Sequence, residues 1–202
     1  MSKKNPILIN KNPKPGILRL VLNKPQSKNA LSREMIFAMM DAISNASSNN
    51  KVKVIIIAAN GDVFSAGHDL KEITEARSHK GEHNSYFMDL FESCSSLMKL
   101  IVKCPKPIIA EVNGVATAAG CQLVASCDLA ISSENSRFAT PGVNIGLFCS
   151  TPMVALSRNV SKKEAMKMLL TGDMINAQEA KRISLINNYV PENDLKKSVM
   201  EI

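Results

Sequence analysis

The chain predicts an α/β fold with a largely parallel sheet, and three observations carry that expectation. Nearly continuous apolar runs at 52–58 and 107–112 have the pattern of strands buried on both faces. They alternate with stripes at helical spacing: Leu31, Met35, Met39 and Ile43, then Tyr86, Leu90, Cys94, Leu97 and Ile101. A length of 202 residues, 45% apolar and 21% charged, suits one domain, 1–202, with a sizeable core, and excludes wholesale disorder.

The elements follow in order. Residues 17–22 read as a strand after the turn Pro15-Gly16, with 7–9 as a hairpin partner. The basic segment 1–16 is otherwise expected to be loosely ordered. Ser32 is a candidate N-cap for the helix carrying Leu31 to Ile43, which Ile36 and Met40 widen. The strand at 52–58 ends at Asn60-Gly61. Asp69 to Glu72 reads as a capped helix start, with Glu72 at the third helical position. The long helix through Tyr86 and Ile101 is stopped by Pro105. After the strand at 107–112 comes a turn at Asn113-Gly114. Small residues then lead into a helix through Leu123 and Val124. Another strand is expected at 129–131, and short helices around 152–158, 162–170, 177–184 and from Glu192.

Composition excludes several functions. No uninterrupted apolar run approaches the roughly 20 residues of a membrane span. Aromatics are 4% and Trp is absent, which argues against base-stacking platforms. The net charge is +7, but seven bases and no acid lie in residues 1–28, and the remaining 174 residues balance at 18 and 18. The charge is therefore a one-ended feature, not a DNA-binding face. It reads as a solvated tail or as a cationic rim for a phosphate-bearing ligand. Five cysteines with no CxxC indicate neither a disulfide framework nor a zinc site. The start of the chain has no apolar signal core, and its prolines disfavour an amphipathic leader. A cytoplasmic location is expected, with the mitochondrial matrix as the alternative. His79 and His83 have helical metal spacing, but Gly81 weakens a helix there and a solvated loop is expected. No metal is expected.

No GxGxxG, Walker or GxSxG pattern occurs, and no Ser–His–Asp arrangement is evident. Two strand-to-helix junctions remain: FSAGHDL at 64–70 and NGVATAAGCQL at 113–123. Helix N-termini expose unpaired N–H groups, and two of them facing one point make an oxyanion hole. Tight turns that need small residues only for packing would look the same.

These junctions, together with FATPGVNIGLFCSTP at 138–152 and NKPQSKNALS at 23–32, resemble the enoyl-CoA hydratase/isomerase (crotonase) family from about Ile7 onward. The resemblance implies a spiral of ββα units, with the C-terminal helical part cut short, and a homo-oligomer, a trimer or dimer of trimers. It implies an acyl-CoA thioester ligand, lipid metabolism, and no cofactor beyond the CoA of the substrate. The oxyanion donors fall on the backbone N–H groups of His68 and Ala119. Ala66, Asp69, Leu70 and Lys71 would line the CoA, and Lys24, Ser27 and Lys28 would lie by its phosphates.

The family's two glutamates fall on Gln122 and Gly142, and a further acid position falls near Cys149-Ser150. None of these is a carboxylate, so the general acid–base contribution, about 10²–10⁴-fold per group, is missing. Gly142 is expected to leave a gap for a water or a small anion such as bicarbonate. Restoring both glutamates is expected to speed a slow hydration. The expected function is thus enoyl-CoA hydratase-like, an enzyme with weak or altered hydratase chemistry. A non-catalytic acyl-CoA-binding protein is the alternative. An RNA-binding role, prompted by the basic N-terminal end, ranks last.

Overall fold

The computed structural model describes residues 5–78 and 83–202. The strands alternate between two sheets. Strands β1 (Leu8–Lys11), β2 (Gly16–Leu22), β3 (Val52–Ala59), β5 (Ile108–Val112), β7 (Leu129–Ser133) and β10 (Asn188–Val190) form a six-stranded sheet in the order β1-β2-β3-β5-β7-β10. Strands β4 (Val63–Ser65), β6 (Val115–Thr117), β8 (Arg137–Ala139) and β9 (Ile175–Asn176) form a second sheet in that order. The successive pairs β3–β4, β5–β6 and β7–β8 each place one strand in each sheet before the chain turns into helix. That repetition is the ββα spiral. Within it the pairings β3·β5, β5·β7, β4·β6 and β6·β8 are all parallel.

The helices are α1 (Arg33–Ser48), α2 (Leu70–Ser78), α3 (His83–Val102), α4 (Ala119–Ser126), α5 (Ser150–Asn159), α6 (Lys162–Thr171), α7 (Ala177–Arg182) and α8 (Leu195–Glu201). Ser32 caps α1 by accepting from the Met35 N–H, and Met35, Ile36, Met39 and Ile43 are buried. The main core joins them to Ile55, Ile57, Leu97 and Leu123. A smaller core on the far face of the large sheet packs Ile56, Ile109 and Ile131 under Leu195 and Val199 of α8. Arg19, half-buried, and Glu111 form a double hydrogen bond at 2.5 and 3.0 Å.

Several expectations change. Strands β4, β6 and β8 have three residues each, too short to show period-two alternation. The segment at 115–117 is therefore strand before it becomes helix. The hairpin partner expected at 7–9 is present and runs on to Lys11: Leu8–Lys11 is a regular strand antiparallel to β2, and its backbone completes the edge of the large sheet. At the start of α2, Asp69 Oδ1 accepts from the Lys71 N–H, as a cap should. Glu72 does not reach back to it; its carboxylate accepts from the Arg33 N–H and the Tyr86 hydroxyl. Of the loop reading of His79 to His83, residues 79–82 lie outside the described residues, and His83 begins α3. No helix among the described residues is long and apolar enough to cross a membrane.

Candidate active site

Strands β4 and β6 lie side by side and parallel, so the turns leaving them emerge at one edge. Neighbouring strands are about 4.8 Å apart, which brings the two junctions into contact. Gly67, at φ +88°, sits where a Cβ would come within 2.9 Å of Ala118 Cβ and 3.1 Å of Ala119 N. Gly120 lies so close to β4 that a Cβ would approach Ser65 O to 2.2 Å. The Thr117 hydroxyl donates to Ala66 O at 3.2 Å and closes the seam. Glycine is required at both positions for close approach, and at Gly67 also for its φ.

Each turn carries one of the two candidate amides. Ala119 is the first residue of α4, where helix N–H groups lack intrahelical acceptors. Its cap, Ala118, is held at φ +50°, ψ −120°, a region costly for a residue with a Cβ, by donating to Ala139 O at 2.9 Å. His68 precedes α2 and forms a parallel bridge with Leu31. In that bridge the Leu31 N–H donates to Gly67 O at 2.7 Å.

The loop from Lys24 to Leu31 is stitched to the same turn. The Ala66 N–H donates to Lys28 O at 3.1 Å. Asn29, fully buried at φ +48°, accepts from the Lys24 N–H and donates to Asn60 O and Val63 O. Lys24 and Ser27 are half-buried, while Lys28, Leu70 and Lys71 are exposed beside the junction. The structure thus brings Lys24, Ser27, Lys28, Ala66, His68, Asp69, Leu70, Lys71 and Ala119 around one edge. Sequence reasoning missed Asn29, although NKPQSKNALS contains it, and it missed the strained Ala118.

Two buried side-chain atoms among the described residues have no hydrogen-bond partner, His68 Nδ1 and Gln122 Oε1. Both belong to residues at this edge: His68 carries one amide, and Gln122 lies one helical turn beyond Ala119. Unpaired buried polar atoms cost about 1–3 kcal/mol, so native proteins keep few. The His68 ring packs edge-on against Phe91, with centroids 5.5 Å apart. Burial pulls its pKa below the ordinary value, partly offset by the Leu31 carbonyl, so the imidazole is neutral at pH 7.

Gly142 departs from expectation. It is the second residue of the short 3₁₀ segment Pro141–Ile145, and a Cβ there would meet Leu147 O at 2.3 Å and Cys149 Sγ at 2.7 Å. The chain folds back on itself at this point, with the Leu147 N–H donating to Gly142 O. There is no gap at Gly142 for a water or bicarbonate in place of a side chain, and a glutamate does not fit unless the loop moves. Burial pushes the Cys149 thiol up, against a smaller lowering by the Gly142 amide, and Cys121 is pushed up to about 12. Neither thiol is an acid or base near pH 7. No cluster of three or more His, Cys, Asp or Glu able to hold a metal occurs among the described residues.

The enoyl-CoA hydratase/isomerase family model matches residues 12–202. The chain is 50% identical over 201 residues to mitochondrial enoyl-CoA hydratase domain-containing protein 3 of Mus musculus. That match covers 100% of this chain and 65% of the mouse protein. The crystal structure of the human enoyl-CoA hydratase domain-containing protein 3 superposes with a TM-score of 0.90 at 48% identity, over 97% of this chain and 75% of that one. An enoyl-CoA hydratase of Mycobacterium smegmatis gives a TM-score of 0.91 at 44% identity, over 98% and 75%.

Proposed function

The chain belongs to the enoyl-CoA hydratase/isomerase family, and from that premise we propose that it binds an acyl-CoA with the thioester oxygen between His68 N and Ala119 N. One observation supports this above the others: two separate turns, each built on Ala-Gly, are pressed together by Gly67 and Gly120, with Ala119 N close against the glycine that precedes His68. Two such donors lower the energy of an enolate-like state, each by about 3–4 kcal/mol in known cases. The donors are backbone, so His68 contributes without imidazole chemistry. Lys24, Ser27 and Lys28 complement the phosphates of CoA, and Ala66 to Lys71 its adenine and pantetheine parts.

The proton-transfer step is where this chain differs. Gln122 orients a water but cannot exchange its proton near pH 7. Gly142 has no side chain, and its surroundings are filled by Leu147 and Cys149. The expected behaviour is tight acyl-CoA binding with hydration of crotonyl-CoA far below the rate of a two-glutamate enzyme. The absence of titratable groups at both positions also favours a second reading, acyl-CoA binding without turnover.

Titration calorimetry with CoA and butyryl-CoA, beside a crotonyl-CoA turnover assay, separates the readings. Binding with slow turnover fits the enzyme, and binding with none fits the carrier. Rapid hydration would contradict the argument from the missing carboxylates. The mouse relative is a mitochondrial protein, which supports the mitochondrial alternative over the cytoplasmic location expected from the sequence. A homo-oligomer is part of the same proposal, and light scattering decides it.

A further inference from the structure

A groove of about 520 Å³ runs between α3, α4 and α5. Gln122, 5% exposed, lines it, and its Oε1 has no hydrogen-bond partner. Met98, Val102, Ala125 and Val154 give it apolar walls. Lys99, Lys103 and Arg158 line it as well, and all three are exposed. They form no ion pair among the described residues. Asp128 is the one lining acid, and its Oδ2 already accepts from the Ile108 N–H.

The groove and the thioester edge share α4. Ala119 starts that helix, Gln122 follows one turn later, and Ala125 and Ser126 lie at its end. At 1.5 Å per residue the groove extends about 10 Å along the helix from Ala119. An acyl chain leaving the thioester would pass Gln122, run over apolar walls and end among the three cations.

We infer that this groove takes the distal part of the acyl chain and selects chains ending in an anionic group, of which an ω-carboxylate is the simplest. The inference rests on the thioester lying at His68 and Ala119. An alkyl terminus gains nothing from three cations and strips water from them. A carboxylate makes charge-assisted hydrogen bonds there, bidentate ones with Arg158, while its other face stays wet.

The test is calorimetric titration of the whole chain with CoA, octanoyl-CoA and the CoA monothioester of octanedioic acid, at low and high salt. The monothioester is expected to bind about tenfold tighter than octanoyl-CoA at low salt, and the advantage should shrink as salt rises. Arg158→Gln and Lys99→Gln should each reduce it. Val154→Asp, at a residue 44% exposed, should reverse it. All three are surface changes, and melting curves verify folding. Octanoyl-CoA binding as tightly as the monothioester overturns the anion selection while leaving the thioester reading intact. Octanoyl-CoA and the monothioester both binding no better than CoA overturns the groove as an acyl site. Failure of all three ligands to bind sinks the thioester reading, and this inference with it.

Discussion

At the scale of the residue, His68 combines two properties. Its amide is one of the two proposed donors, and its ring carries an unpaired buried Nδ1. The amide survives substitution of the side chain. His68→Ala is therefore expected to keep thioester polarisation, and to lose at most about tenfold in acyl-CoA affinity if Nδ1 accepts from the ligand. A large activity loss with fold and affinity intact would assign the imidazole a chemical role.

The same ring sets a pH dependence. Burial lowers its folded pKa, so below about pH 6.5 the unfolded chain binds a proton that the folded chain refuses. This part of the stability is fully present above pH 6.5. It is lost as pH falls from there to the lowered folded value. Melting temperatures between pH 7 and 5 should fall less steeply in His68→Ala than in the parent. Equal slopes would mean that another group titrates.

At the scale of the element, the junctions depend on contacts between glycine and backbone. A methyl at Gly120 would collide with Ser65 O, an atom of β4 that cannot rotate away. Gly120→Ala should lift the start of α4 from β4, cost about 1–3 kcal/mol, and separate the two amides. For a chain of this size that is a fall in melting temperature of roughly 2–4 °C per kcal/mol. CoA itself should still bind, because the loop from Lys24 to Leu31 is anchored through Asn29 and not through α4. Loss of CoA and acyl-CoA binding to the same degree would show that the two parts are not separable. The contact around Gly142 acts in the opposite direction. Because Leu147 and Cys149 fill that place, Gly142→Glu is expected to disturb the loop, and it does not restore a hydratase.

At the scale of the whole molecule, the long elements were legible in the sequence, but the frame that holds the two candidate turns was not. The runs at 52–58 and 107–112 and the stripe from Leu31 to Ile43 were legible because burial on both faces, or on one helical face, repeats over many residues. Strands β4, β6 and β8 were not, since three residues cannot display a period, yet they place the two turns side by side. The turns carrying His68 and Ala119, the proposed donors, were legible through resemblance, because they are contiguous motifs. The filling of Gly142 was not, because it depends on Leu147 and Cys149 folding back from further along the chain. Ala118 was not, because its strained backbone is imposed by Ala139 from β8.

In the proposed function, two backbone amides polarise one thioester carbonyl. The most direct measurement is the carbonyl stretch of a ¹³C1-labelled hexadienoyl-CoA, free and bound, by difference vibrational spectroscopy. A shift to lower frequency on binding is expected, retained in His68→Ala and lost in Gly120→Ala. A bound ligand whose carbonyl frequency equals that of the free one would contradict it.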